Sequence, residues 1–217
     1  MPRAGLGTAA VVAAGADLAD EIGFAALTMG RLAERLGVRT PSLYKHVAGQ
    51  EDLNRRIAAL GLDEAADAIG AAIQGRAGRD ALRAAARALR GFVLAHPGRY
   101  AATIGLDLTG PDDPVALAAA RGLEPFAAVL RGYDLAPADT THALRALRSI
   151  FHGFATIEAG GGFQWSTGTD ESFEWLVDLV DLGLRARPAE QPTDGGRDAS
   201  LPTARRHPRP QTTGAPS

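Results

Sequence analysis

Residues 28–52, which read TMGRLAERLGVRTPSLYKHVAGQED, decide the fold of this chain. In the first part of this stretch, apolar side chains recur at the i, i+3, i+4, i+7 spacing of one helix face. These side chains are Met29, Leu32, Ala33 and Leu36. Thr28 precedes them and is a suitable N-cap, while Gly37 follows them and permits the left-handed turn that ends many helices. The pattern predicts a short helix that ends in a tight turn.

A second short helix is predicted directly after this turn, from Pro41 to Val47. Thr40 is a suitable N-cap for it, and Pro41 at the first helical position loses no hydrogen bond. Only Leu43 and Val47, one turn apart, need to face the protein interior. The other side chains are left on the outer face, namely Ser42, Tyr44, Lys45 and His46.

This outer face carries hydroxyl groups, an aromatic ring with a polar tip, a cation and an imidazole. Such groups suit the phosphate oxygens and base edges of a DNA major groove. A helix–turn–helix presents its second helix to DNA in this way. The alternative is a helical hairpin inside an all-helical protein, but a core hairpin would not usually expose Tyr, Lys and His together.

The same stretch resembles the DNA-binding domain of the TetR family of one-component transcriptional repressors, over roughly residues 8–56. The resemblance rests on spaced positions: Leu27-Thr28, Leu32-Ala33, Leu36-Gly37-Val38, Leu43-Tyr44, His46, Asp52-Leu53 and, upstream, Val12, Leu18 and Ile22-Gly23-Phe24. Two neutral residues depart from the family pattern. Gln50 stands where many members carry a basic residue after the recognition helix, and Gly30 stands near another such position. We therefore expect weaker attraction to phosphate than in a typical member.

The resemblance implies a repressor that binds a palindromic double-stranded DNA operator as a homodimer and is released by a small-molecule ligand. The residues that we predict to contact DNA are Thr28, Arg39, Thr40, Pro41, Ser42, Tyr44, Lys45 and His46. The two departures motivate an alternative, a helical ligand-binding or interaction module that binds DNA only weakly.

The net charge of the chain is −2, which does not by itself indicate binding to nucleic acid. Residues 1–60 hold seven cationic and six anionic side chains, a net charge of only +1. DNA binding must then depend on where the cations lie. Lys45, on the outer face of the second helix, is the only lysine in the chain.

An all-α fold is expected, because helical patterns follow one another along the chain. We predict helices over residues 8–23, 29–36, 41–47, 51–73, 79–95, 100–108, 114–132, 138–159 and 170–186. The predicted division is a helix–turn–helix DNA-binding domain (1–56), a helical ligand-binding and dimerisation domain (57–186) and a disordered tail (187–217). The tail holds six of the 13 prolines, and its only large apolar residue is Leu201.

A second resemblance, over roughly residues 80–185, is to a type of regulatory domain found in TetR regulators. It rests on Phe151-His152-Gly153-Phe154, Glu158, Gly161-Gly162-Phe163 and Glu171-Ser172-Phe173. In this family the later helices enclose a small-molecule pocket. The candidate pocket residues are Phe92, His96, Tyr100, Phe126, Leu130, His152 and Trp165, although any one large side chain is more often ordinary core.

The last two long helices are the predicted dimer seam. Small residues there permit close helix approach, and larger apolar residues supply surface. The small set is Ala143, Ala146, Gly153 and Ala155, and the apolar set is Leu147, Phe151, Leu176, Val180 and Leu184.

Catalytic, metal and cofactor motifs are not found. None of the five histidines has a second histidine or a carboxylate at helix-neighbour spacing that would make a zinc site, and the chain has no cysteine, so no metal site or cofactor is predicted. There is no glycine-rich phosphate loop and no nucleophile elbow, so an enzyme is the least favoured class. No signal peptide or membrane-spanning run is visible either, so we expect no membrane partner and a cytoplasmic location.

Overall fold

The computed structural model describes residues 6–105, 107–110 and 112–187, and these residues form nine α-helices and no strand. The helices are α1 (Thr8–Ile22), α2 (Met29–Arg35), α3 (Thr40–Leu43), α4 (Gln50–Ile73), α5 (Gly78–Ala95), α6 (Pro97–Ala101), α7 (Pro114–Leu130), α8 (Pro137–Ala159) and α9 (Thr169–Arg185). The predicted all-α class is confirmed. The predicted tail lies outside the described residues except for Arg187.

Two apolar clusters form the interior. The N-terminal cluster is formed by α1, α2, α3 and the first half of α4, and Leu32, Leu43 and Ile57 are fully buried in it. The C-terminal cluster joins the end of α4 to α5, α7, α8 and α9, around Phe151 and Phe173. Because α4 contributes to both clusters, the predicted boundary between residues 56 and 57 falls inside one continuous helix.

The segment around Pro97 differs from the prediction. The predicted helices end at residue 95 and resume at residue 100, but α6 begins at Pro97 and ends at Ala101. Proline is favoured in the first helical turn, because its missing N–H would have no helical partner there. The expected helix over residues 100–108 is therefore wrong.

Helix α6 packs directly against α1, and Gly98 makes this contact possible. A Cβ atom at Gly98 would lie 1.9 Å from the carbonyl oxygen of Ala19, so only glycine fits between the two backbones. The neighbouring Arg99 is 7% exposed and reaches back to α1, where its Nε lies 2.7 Å from Asp20. Its other two nitrogens donate to Asp17 at 2.5 Å and to Glu64 of α4 at 2.7 Å.

A second ion pair links α4 to the start of α7. Arg55 of α4 donates to Asp113, the N-cap of α7, at 2.5 Å. Asp113 also accepts hydrogen bonds from Thr109 and from the backbone N–H of Val115. Two hydrogen bonds hold the pKa of the Asp113 carboxyl well below its usual range. The larger effect comes from the N–H of Thr109 and the next from the Arg55 guanidinium. The segment between α6 and α7 is thus anchored to the helix that begins in the N-terminal cluster.

The face formed by α8 and α9 differs in part from the predicted seam. Phe151 and Ala155 are fully buried inside the C-terminal cluster, so the expectation that they line a seam between subunits is wrong. Their burial is set by contacts with other helices, which periodicity along one helix cannot distinguish. The residues that do leave apolar surface exposed are Ile157, Trp175, Leu179 and Leu182.

No helix within the described ranges is both long enough and apolar enough to cross a membrane.

Gly98→Ala is expected to destabilise the fold by about 1–3 kcal/mol or more, because the added methyl group forces α1 and α6 apart. Gly91→Ala is the matched control. Gly91 lies inside α5, and a Cβ atom there would meet no atom within 4 Å. The control is expected to stabilise the chain by about 0.5–1 kcal/mol, since alanine is the better helix former. Urea denaturation of both variants measures the difference, and equal stability of Gly98→Ala and the parent would contradict the close contact.

Candidate nucleic-acid interface and regulatory cluster

Helix α2 and the turn after it form as predicted. The Thr28 hydroxyl accepts a hydrogen bond from the backbone N–H of Arg31 at 3.2 Å, which confirms Thr28 as the N-cap. Gly37 has a φ of 65°, so its backbone is left-handed, as the predicted turn requires. The N–H of Val38 then donates to the carbonyl of Ala33 at 3.0 Å and closes the turn.

The recognition segment, residues 40–47, is one short helix followed by a turn. Helix α3 covers Thr40–Leu43, and the N–H of Val47 still reaches the carbonyl of Leu43 at 3.1 Å. Leu43 and Val47 are buried at 0% and 2% exposure, whereas Tyr44 is 56% exposed and Lys45 is also exposed. The predicted inner pair is therefore confirmed, and so are Tyr44 and Lys45 on the outer face, whereas Ser42 and His46 are half-buried.

The predicted cap of this helix is wrong. Arg39, not Thr40, is the N-cap: its backbone is extended, and its carbonyl accepts from the N–H of Ser42 at 2.8 Å. Thr40 is the first helical residue, and no side chain caps the helix. The helix starts one residue early because this short bond closes its first turn.

The cations near the recognition segment fall into two groups. Arg35, Arg55 and Arg56 pair with the carboxylates of Glu21, Asp113 and Asp52. In contrast, Arg31, Arg39 and Lys45 form no salt bridge with any residue in the described part of the chain. The three cations that are free to meet an external anion thus belong to α2, the turn and the recognition segment.

Four of the seven candidate ligand residues lie together at the junction of α5, α6 and α8, and we call them the aromatic–histidine cluster: Phe92, His96, Tyr100 and His152. The ring of Phe92 lies 5.1 Å from that of His96 and 6.4 Å from that of Tyr100, between centroids. The hydroxyl of Tyr100 lies 3.0 Å from Nδ1 of His152. The sequence analysis predicted these residues as separate candidates, and the fold places them in one group.

The other three candidates lie elsewhere. Phe126 and Leu130 are buried in the C-terminal cluster, where the ring of Phe126 stacks on Phe151 at 6.3 Å. Trp165 lies in the loop between α8 and α9 and is 80% exposed, so it does not line the interior of a single chain. Its nearest aromatic neighbour is Phe163, at 6.1 Å between ring centroids.

Burial shifts the titration of the polar pair in the aromatic–histidine cluster. Burial lowers the pKa of His152, because the imidazolium form loses hydration, and the nearby positive charge of Arg148 lowers it further. Burial also raises the pKa of Tyr100. The pair is therefore neutral near pH 7, and the ring nitrogen Nδ1 is suited to accept a hydrogen bond from the tyrosine hydroxyl.

His96 connects this cluster to α1. Its Nδ1 lies 3.2 Å from Asp20, the same carboxylate that binds Arg99. Sequence reasoning missed the roles of Asp20 and Arg99, which are 79 positions apart, because no local spacing relates them. Because Asp20 belongs to α1, a displacement of α6 would disturb the contact between His96 and α1.

Among the described residues, no group of three or more histidine, aspartate or glutamate side chains is arranged to hold a metal ion.

Comparison with known proteins identifies the class. Residues 11–57 match the family described as bacterial regulatory proteins, tetR family, and residues 82–180 match the family described as tetracyclin repressor-like, C-terminal domain. An uncharacterized HTH-type transcriptional regulator of Mycobacterium tuberculosis, Rv0681, is 36% identical over 169 residues, which cover 77% of each chain. The uncharacterized HTH-type transcriptional regulator YobS of Bacillus subtilis is 28% identical, over 84% of this chain and 95% of its own.

Solved structures agree with these matches. A possible TetR family transcriptional regulator from Streptomyces coelicolor superimposes with a TM-score of 0.66 at 28% identity, over 82% of this chain and 98% of its own. BioQ in complex with its natural double-stranded DNA operator superimposes with a TM-score of 0.63 at 26% identity, over 83% of this chain and 98% of its own.

The helix–turn–helix and the helical domain behind it define a DNA-binding transcriptional regulator, not an enzyme. The chain belongs to the TetR family.

The lowered pKa of His152 predicts how the free energy of unfolding depends on pH. A histidine in the unfolded chain has a pKa of about 6.5. Between that pH and the lower pKa in the folded chain, the unfolded state binds more protons, so the free energy of unfolding decreases as the pH falls. His152→Asn is expected to reduce this loss, as measured by urea denaturation at pH 7.5 and pH 5.5. A ring of His152 that titrates at or above 6.5 by NMR would contradict the prediction.

Proposed function

We propose that this regulator is a homodimeric repressor that binds a palindromic double-stranded DNA operator and is released from it by a small-molecule effector. The observation that carries the proposal is the recognition segment, which buries Leu43 and Val47 and exposes Tyr44 and Lys45. Genomic DNA is the partner in this proposal, so a cytoplasmic location follows from it. The division into DNA-binding and ligand-binding domains near residue 56 is part of the same proposal.

The proposed DNA contacts divide by chemistry. Arg39 and Lys45 are suited to phosphate oxygens, because they are exposed cations without an ion-pair partner in the described chain. The polar side chains that are suited to phosphates or base edges are Thr28, Thr40, Ser42, Tyr44 and His46, and exposed Pro41 offers an apolar contact to a thymine methyl group. The structure of BioQ, which has the same fold and is bound to its double-stranded DNA operator, supports DNA as the partner.

The proposed dimer interface is the face of α8 and α9. A groove of about 680 Å³ runs along it and is lined by Ala146, Leu147, Ile150, Leu176 and Leu179, among others. Large apolar side chains beside the groove are left exposed in the single chain. A second copy across a two-fold axis would cover this surface and hold two recognition segments at half-sites about 34–36 Å apart, or a multiple of this distance.

The aromatic–histidine cluster is the proposed effector site. Apolar rings with a few convergent polar groups are typical of small-molecule sites, and here Tyr100 and His152 supply the polar groups. An effector that separates these side chains would act on α6, which binds α1 through His96 and Arg99. Release from DNA would then follow if the effector favours a position of α6 that the operator-bound form does not allow.

A gel-shift experiment at low salt, with the DNA that flanks the gene of this chain, tests the proposal and separates it from the weak-binding alternative. Tyr44→Ala and Lys45→Ala are each expected to weaken operator binding by about 1–3 kcal/mol, because each removes a DNA contact and no buried group. Their thermal midpoints should match that of the parent.

Arg76→Ala is the charge-matched control for Lys45→Ala. Arg76 is exposed after the end of α4, and among the described residues its side chain bonds only to the carbonyl of Ala72. Its removal should leave operator affinity nearly unchanged. Equal affinities of Lys45→Ala and the parent would contradict the proposed interface.

Leu179→Asp is expected to separate the dimer. Leu179 is 50% exposed in the single chain and lines the groove, so an aspartate there is tolerated by the monomer but is buried without a partner in the dimer. The dimer dissociation constant should rise about 100-fold or more. Leu117→Asp is the control, because Leu117 is similarly exposed but lies on α7.

Analytical ultracentrifugation at ~10 micromolar, well above typical working dissociation constants, measures this assembly. A parent chain that sediments as a monomer, or a Leu179→Asp variant that dimerises as well as Leu117→Asp, would contradict the interface.

A further inference from the structure

Gln50, the neutral residue that departs from the family pattern, has a specific structural partner. It is the first residue of α4, and its side-chain oxygen Oε1 accepts a hydrogen bond from the backbone N–H of Met29 at 2.9 Å. Met29 is the first residue of α2, so its N–H has no partner within its own helix. The side chain of Gln50 therefore joins the start of α4 to the start of α2.

The bond supplements the cap that α2 already has. Thr28 satisfies the N–H of Arg31, and Gln50 satisfies that of Met29. One of these acceptors is local, but the other lies 21 positions away, on a different helix. The second bond thus fixes the position of α2 relative to α4 as well as the start of the helix.

Asn54 sets the orientation of the Gln50 amide. The Nε2 of Gln50 donates to Oδ1 of Asn54, one turn further along α4, at 2.8 Å. With the amide nitrogen engaged in this way, the carbonyl oxygen is directed to the N–H of Met29. Both side chains are half-buried, so water competes for these bonds less than it does on an open surface.

We propose that Gln50 is a positioning residue for DNA recognition: it holds α2 against α4 and thereby sets where the recognition segment lies on the operator. The proposal rests on the DNA-binding function proposed above. Helix α3 packs against α2, so a displacement of α2 moves the outer face of the recognition segment. A basic residue cannot take this role, because a lysine ammonium has three donors and no acceptor for the N–H of Met29.

The reading that Gln50 is only a weakened phosphate contact makes the opposite prediction for Gln50→Lys. As a phosphate contact, the lysine would tighten operator binding and increase the salt dependence by about one unit. As a replacement for the positioning residue, it breaks the bond to Met29. In that case operator binding weakens about five- to tenfold despite the added positive charge.

Ala48→Lys is the charge-matched control. Ala48 is exposed two positions before Gln50, and its own bond to Asp52 uses its backbone N–H, which the substitution keeps. The control is expected to bind the operator at least as tightly as the parent. Asn54→Ala, which frees the amide of Gln50, is expected to weaken binding about two- to fivefold, without removing a charge.

Operator affinity over a range of salt concentrations and hydrogen exchange at the Met29 amide, both on the full chain, are the two measurements. The amide is expected to exchange faster in Gln50→Lys and in Asn54→Ala, and at the parent rate in Ala48→Lys. A Gln50→Lys variant that binds as tightly as Ala48→Lys, or an unchanged Met29 exchange rate, overturns the positioning role. A parent that binds no DNA at all contradicts the proposed function, together with any role for Gln50 in it.

Discussion

The arrangement of the chain depends on one buried guanidinium, that of Arg99. It is enclosed by Asp17 and Asp20 of α1 and by Glu64 of α4, with the backbone of Gly98 pressed against α1 beside it. A buried charge is tolerated only when it is paired, and here two of the three partners come from α1 and the third from α4, the helix that contributes to both clusters. Helix α6 is therefore fixed at its centre to α1 and α4.

This constraint gives a five-residue helix contacts with both clusters of the chain. Two members of the aromatic–histidine cluster, His96 and Tyr100, flank Arg99 at the two ends of α6, and Tyr100 reaches His152 on α8. A displacement of His152 would act on α6 through Tyr100, and α6 cannot shift without disturbing its bonds to α1 and α4. Packed elements of this kind have few alternative positions, which favours a discrete response over a graded one.

Features set by neighbouring residues could be predicted from the sequence, and features set by distant residues could not. The cap at Thr28, the turn at Gly37 and the burial of Leu43 and Val47 all follow from local spacing and backbone preference. The start of α6 at Pro97 was not predicted, because Pro-Gly is typical both of the end of one helix and of the start of the next. Which apolar residues of α8 face the core, and that Arg99 meets Asp20, depend on packing between helices far apart in sequence.

The position of Lys45 has a chemical consequence. It is the only lysine of the chain, and it is exposed on the recognition segment, so a reagent or enzyme that acylates side-chain amines has a single target. Acylation removes the positive charge and leaves the buried residues of the segment untouched. In the proposed complex, bound DNA would shield the same amine. The rate at which Lys45 is modified therefore reports occupancy of the recognition surface directly, without a label introduced by mutation.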